Sequence, residues 1–151
     1  MYTVKPTLLR SFSRGWCKMT KTERAMFRAA KAMSTLSDHK NKIGCVIVNK
    51  HRIISSGVNS RTKCHKTQAL LDKERFGCDC PGKVHSETAA LIPLIRDGVD
   101  LSRASIYLYR EHKNGTLACA RPCSRCERLL RRCGITKIYF TIENNYKMEK
   151  W

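Results

Sequence analysis

The chain has 151 residues, 42% of them apolar, and its 30 Lys and Arg against 12 Asp and Glu give a formal net charge of +18. That length and apolar content suit one domain with a buried core, and they exclude wholesale disorder and fibrous repeats. A membrane span is excluded as well, because the longest apolar stretches, such as residues 89–95, fall far short of the roughly 20 residues needed to cross a bilayer.

The charge exceeds what binding one small phosphorylated metabolite requires and would draw polyanions through counterion release. Nine Cys cannot all pair within one chain, and no charged start followed by an apolar run marks a secretory signal. Reduced thiols or metal ligands are therefore expected rather than disulfides, and with them a cytoplasmic location. Residues 1–20 read as a basic N-terminal arm, carrying Lys5, Arg10, Arg14 and Lys18 with no acid. Mitochondrial transit peptides, nucleic-acid-binding arms and plain solvated termini all share that composition. Residues 21–151 read as a single domain.

In chain order, the helical spacing of Met26, Ala29, Ala30 and Met33 predicts a first helix over residues 21–36, capped by Thr20 or Thr22. Residues 45–48 and 53–56 are short β-rich runs that predict an antiparallel hairpin. After a long polar connection, residues 87–95 predict a second helix, with Pro93 expected to kink it or end it early. Residues 105–109 alternate like a strand, and Asn114-Gly115 predicts a hairpin turn into a further strand over residues 116–120. Pro122 is expected to open a third helix that runs to about Cys133 and is closed by Gly134. A strand follows at residues 137–141, leaving residues 142–151 to supply a final helix or strand. Helices alternating with strands argue for a layered α/β domain.

Two motifs stand at the helix starts: His85-Ser86-Glu87 before the second and Pro122-Cys123-Ser124-Arg125-Cys126 before the third. Two Cys three apart at a helix N-terminus direct both sulfurs to one metal, while free N–H groups and the helix dipole stabilise the thiolates. His85 makes a third ligand beside Cys123 and Cys126. Three protein ligands with an open fourth position describe a catalytic rather than a structural zinc. Glu87 then stands within reach of water on the metal. A lone C-x-x-C is often a structural zinc knuckle or redox pair, and a lone H-x-E arises by chance. Their joint occurrence, in this order and at successive helix starts, is far more specific.

The pair H-x-E then P-C-x-x-C resembles the signature of the zinc-dependent nucleobase deaminases. Residues 25–146 resemble the cytidine and deoxycytidylate deaminase superfamily, with Ile43-Gly44-Cys45-Val46-Ile47-Val48 like its first strand and Gly57-Val58-Asn59 like the loop after its second. Residues 133–140 are similar to the turn and strand after the zinc helix. The resemblance implies a three-layer α/β fold, its mixed sheet led by an antiparallel hairpin and covered by helices on both faces. It also implies a substrate contact from Asn59 and an assembly of identical chains. The implied reaction is hydrolytic, with Glu87 carrying protons from water to the ring nitrogen and then to the leaving amine, so that ammonia departs.

The connection from Asn59 to His85 is long, as in deoxycytidylate deaminases. Its Cys64, His65, Cys78 and Cys80 could form a second, structural zinc site or remain free thiols, and residues 66–76 between them could be helical. Cys17, Cys45, Cys119 and Cys133 read as structural. Arg121, Arg125, Arg128 and Arg132 form one stripe on a helix, either a phosphate or nucleic-acid track or a solvated face. Tyr139, Phe140, Tyr146 and Trp151 could stack bases or belong to the core.

The leading expectation is a zinc-dependent hydrolase converting deoxycytidylate to deoxyuridylate and ammonia. The alternative, favoured by the charge, is a polynucleotide deaminase acting on tRNA or single-stranded DNA. A zinc-stabilised nucleic-acid-binding module without turnover is the reading from another class, and Glu87 argues against it.

Overall fold

The computed structural model describes residues 10–14, 18–76 and 82–151. Along the chain the elements are β1 (Arg10–Arg14), α1 (Lys21–Ser34), β2 (Ile43–Asn49), β3 (Arg52–Val58), α2 (Lys66–Phe76), α3 (Ser86–Arg96), β4 (Ser105–Arg110), α4 (Ser124–Arg132), β5 (Lys137–Ile142) and β6 (Asn145–Lys150). The six strands form one mixed sheet in the order β1-β6-β5-β4-β2-β3. Only the β4–β5 pair is parallel, as expected where a helix makes the crossover between two strands. Among the described residues no helix is long and apolar enough to cross a membrane.

Both faces of the sheet are covered, so the central strands are apolar on both sides rather than on one. Side chains alternate across the plane. Ile106 and Leu108 of β4, with Ile47 of β2 and Phe140 of β5, pack against Leu91 and Leu94 of α3 and Leu130 of α4. Tyr107 and Tyr109, with Val46 and Val48, face the other way onto Phe27 and Ala30 of α1. The result is an α/β/α sandwich with two apolar layers. Thr20 caps α1 through a reciprocal pair of bonds: its hydroxyl accepts from Glu23 N–H at 3.1 Å, and Glu23 accepts from Thr20 N–H at 2.9 Å.

Two glycines let the helices sit close to the sheet. A Cβ on Gly44 would lie 2.4 Å from the Ala30 carbonyl oxygen of α1, and one on Gly57 would lie 2.3 Å from the Ser86 carbonyl oxygen of α3. Neither is an approach that real Cβ atoms make, so bare backbone is needed at both positions.

Several sequence expectations need correction. Pro93 neither ends nor truncates α3, which runs on to Arg96 with Asp97 N–H donating to the Pro93 carbonyl at 3.1 Å. It costs one donor near the end of a helix whose Leu91 and Leu94 are anchored in the core. The Asn114-Gly115 turn forms, closed by His112 N–H to the Thr116 carbonyl at 2.8 Å, but no strand follows over residues 116–120. That segment bonds the ends of β4 and β5 instead: Ala118 N–H donates to the Arg110 carbonyl, and Ala120 N–H to the Thr141 carbonyl. α4 begins at Ser124 with Cys123 as its N-cap, so Pro122 precedes the helix rather than opening it. Residues 145–150 are the strand β6, and β1, which the sequence reading did not anticipate, pairs with β6 at the sheet edge.

The aromatic residues do not form a stacking platform. Tyr139 lies flat on Tyr107 at 4.2 Å between centroids, Tyr146 meets Phe27 edge-on at 4.7 Å, Phe140 is buried, and Trp151 packs under Arg131. Cys45 is fully buried and Cys133 half-buried as expected, but Cys119 is exposed because it lies on the segment that failed to form a strand. Cys17 lies outside the described residues.

Candidate functional site

The crossover helices α3 and α4 start side by side at the same edge of the sheet, and each places a metal-binding side chain at its N-terminus. His85 is the N-cap of α3 and Cys123 the N-cap of α4, neither making a side-chain capping bond. Cys126 follows in the first turn of α4 and is fully buried. The His85 Nδ1 lies 3.6 Å from the Cys123 sulfur and 3.4 Å from the Cys126 sulfur. The three donor atoms fall within 4.8 Å of one another, the one such cluster among the described residues.

This donor set can be tested against zinc. Tetrahedral zinc with S and N at about 2.3 and 2.05 Å separates an imidazole nitrogen from a thiolate by about 3.6 Å, in agreement with both separations. The charge state fits too. A hydrogen bond from Cys126, followed by one from His85, holds the Cys123 thiol down to about 3, so it is a thiolate near neutrality. The Cys126 thiol, as donor to Cys123 in a buried position, is pushed up. The bond to Cys123 also holds His85 above its ordinary value despite burial. A divalent cation would replace those shared protons.

Glu87 stands one turn along, in the first turn of α3, with 5% of its surface exposed. Burial raises its pKa, and the Ser86 hydroxyl donates to its Oε2 at 2.9 Å. Beneath it Cys45 donates its S–H to the Ser86 carbonyl at 3.1 Å. A buried carboxyl that titrates above its usual range is equipped to accept and return a proton.

A cavity of about 270 Å³ opens over these groups, lined by His85, Glu87 and Cys123 on one side and by Asn59, Arg110 and Arg121 on the other. Asn59 is buried, and its amide is committed to the protein. Its Oδ1 accepts from the Ser37 hydroxyl at 2.7 Å and from Ile43 N–H at 2.9 Å, and its Nδ2 donates to the Asn41 carbonyl at 2.7 Å. Asn59 thus fixes one wall of the cavity. Arg110, which the sequence reading did not single out, is the last residue of β4 and lines both this cavity and a larger, adjoining basic one of about 660 Å³. Its Nε is buried with no hydrogen-bond partner. Nothing in its spacing could have marked it, since only the fold brings Arg110 and Glu87 to the lining of one cavity.

The arginine stripe is matched by carboxylates. Arg121, which precedes the helix, holds Glu149 through two bonds at 3.0 and 3.2 Å and Glu127 at 3.0 Å. Arg125 pairs with Asp72 of α2, and Arg128 and Arg132 approach Glu74 at 3.6 and 3.7 Å. Each of the four arginines thus faces a carboxylate. Of the second zinc candidates, Cys64 is exposed and His65 Nδ1 accepts from Thr67 N–H at 3.1 Å. Cys78 and Cys80 lie outside the described residues.

Comparison with known proteins comes to the same region of the chain. Residues 19–142 match the family described as the cytidine and deoxycytidylate deaminase zinc-binding region. Among solved structures, the fold is similar to a cytidine deaminase from Burkholderia pseudomallei, with a TM-score of 0.59 and 19% identity over 87% of this chain and 93% of that one. It is likewise similar to a dCMP deaminase from the cyanophage S-TIM5. The apo form gives a TM-score of 0.56 and 20% identity over 81% of this chain and 84% of the other, and the complex with dCMP and dUMP gives 0.57 and 21%. No curated protein matches.

Proposed function

Because the chain belongs to the cytidine and deoxycytidylate deaminase zinc-binding family, we propose that it is a zinc-dependent hydrolase that removes the amino group of a cytosine nucleotide, deoxycytidylate being the first candidate. One observation carries this reading: a buried carboxyl, Glu87, lines one small cavity together with His85 and Cys123 of a His-Cys-Cys donor set. A structural zinc site has no use for such a carboxyl. His85, Cys123 and Cys126 would hold the metal. Zinc in that position supplies Lewis-acid activation of water.

The other steps fall to the chain itself. Glu87 takes one proton from water and delivers it to the ring nitrogen, which keeps it, as the water oxygen bonds to the carbon bearing the amine. It then passes the remaining hydroxyl proton to that amine, so that the C–N bond breaks, ammonia leaves and the base becomes uracil. Its raised pKa suits both halves of that exchange. Ser86 holds the carboxyl in one orientation. Arg110, cationic and with a buried Nε lacking a partner, is placed to receive the substrate phosphate. The long β3–α3 connection and a fold shared with a dCMP deaminase favour deoxycytidylate over a free base. The arginine stripe, each member facing a carboxylate, adds nothing to the polynucleotide alternative, which rests on the net charge.

The test is ammonia release from deoxycytidylate, cytidine, a cytosine-containing single-stranded oligonucleotide and tRNA across a range of salt. We expect turnover of deoxycytidylate with shallow salt dependence. Rapid deamination within a polymer whose affinity falls at about −0.7 per phosphate contact on a log–log plot, with free deoxycytidylate untouched, would overturn the proposal.

A further inference from the structure

We infer that α2, which supplies no metal ligand, acts as a clamp on the metal site through Gln68, Asp72 and Arg125. The inference rests on the reading of His85, Cys123 and Cys126 as the zinc ligands. Gln68 is completely buried and Asp72 is buried at 7% exposure. Both lie on a helix whose outer face is polar, so their burial needs a reason. The Gln68 Oε1 accepts the Thr88 hydroxyl at 2.6 Å and the His85 backbone N–H at 3.4 Å. Its Nε2 donates to Asp72 Oδ1 at 3.2 Å. The same Asp72 oxygen accepts from Arg125 Nη1, and Arg125 lies in the first turn of α4, between Cys123 and Cys126 in the chain.

The path is continuous. It starts at the backbone of one ligand, His85, crosses two buried side chains of α2, and ends on Arg125, which stands between the other two ligands, Cys123 and Cys126, in the first turn of α4. Each link places a donor against an acceptor, and the two charged members face one another, so the chain of bonds is satisfied throughout. The ligand-bearing helix starts otherwise meet through His85, Cys123 and Cys126 themselves and through the β-sheet beneath them. With α2 docked, the loop before α3 and the first turn of α4 are tied to one rigid element. Outer-shell partners of this kind orient ligands, and their loss typically costs 10- to 100-fold in metal affinity.

The experiment measures zinc affinity by competition with a chromophoric chelator on the full-length protein, and the thiolate-to-metal absorption of the cobalt-loaded form. Neither readout requires turnover. Asp72→Asn keeps the volume of the side chain but removes the charge facing Arg125. Arg125→Lys keeps the charge but loses the guanidinium fork that meets Asp72. Leu71→Ala, from the core-facing side of the same helix, loosens the helix without touching the path.

We expect both path variants to bind zinc 10- to 100-fold more weakly with a shifted cobalt band. Leu71→Ala should bind within about threefold of wild type despite an equal or greater loss of Tm. Substrate KM should move less than kcat in the path variants, since the path touches ligands rather than substrate. Wild-type zinc affinity in both path variants would overturn the clamp, and so would an equal loss in Leu71→Ala. Failure of the wild type to bind one zinc tightly would instead overturn the functional reading beneath it.

Discussion

Gly57→Ala tests whether the catalytic arrangement depends on the seating of α3. The new Cβ would lie 2.3 Å from the Ser86 carbonyl oxygen and 2.7 Å from the Ala90 nitrogen, both backbone atoms of a helix that cannot rotate out of the way. Restoring an ordinary carbon–oxygen contact of about 3.3 Å requires a shift of about 1 Å. The atoms that must move belong to the turn that carries His85 and Glu87. Overpacking of this kind costs about 1–3 kcal/mol, or roughly 3–10 °C in Tm for a domain of this size. A 1 Å displacement of catalytic groups costs about 100-fold in rate.

Gly44→Ala is the matched control. Its Cβ would lie 2.3 Å from the Ser34 nitrogen and 2.4 Å from the Ala30 carbonyl oxygen, pushing on α1, which contributes no residue to the site. Calorimetry should show similar Tm losses for the two variants, and ammonia release should separate them. We expect about a 100-fold lower kcat for Gly57→Ala and less than a tenfold loss for Gly44→Ala. Equal kcat losses in the two variants, or a Gly57→Ala enzyme that keeps wild-type kcat, would refute the reasoning.

Two further predictions concern single groups. Glu87→Gln should keep the fold and the bound zinc, read by circular dichroism and elemental analysis, while turnover falls on the order of 100- to 10,000-fold; near wild-type ammonia release would remove Glu87 from the mechanism. Asp38 is held down to about 2, chiefly by the Thr62 hydroxyl at 2.7 Å and then by Arg61 N–H at 2.8 Å. Its carboxylate therefore stabilises the folded state above its ordinary value of 3.8, and that contribution is lost as pH falls from about 4 through 2. A carbon-detected NMR titration of Asp38 with a midpoint near 4 would contradict this.

Which parts of the structure could be read in the sequence depended on how local their physics is. The candidate metal cluster was legible because its signal is local: an H-x-E and a C-x-x-C at successive helix starts resemble a known signature, and the fold brings His85, Cys123 and Cys126 together. The Thr20 cap and the hairpin from β2 to β3 were legible for the same reason. Residues 116–120 misled because a good turn was taken to guarantee a strand, whereas the partners available to that segment were the ends of β4 and β5. Gln68 and Asp72 gave no signal, since a polar residue on a weakly amphipathic helix looks solvated until α4 is seen to close over it. Arg128 and Arg132 looked like a free cationic stripe because Glu74, which faces them, is about fifty residues away in sequence. Arg110 was missed because its place on the cavity wall comes from where β4 stops.

The pairing of β1 with β6 sets residue 10 opposite residue 150, and this has a consequence for the order in which the chain acquires its shape. Closing a loop of that span costs about 4 kcal/mol of chain entropy, with five residues of ladder in return, so the strand should join last and leave first. Hydrogen exchange should find its amides among the fastest in the sheet. During synthesis the imbalance is temporal. At about 5–20 residues per second, the segment that becomes β1 leaves the ribosome roughly 7–30 s before its partner β6 exists. For that interval it is an unpaired basic strand, open to whatever binds nascent chains.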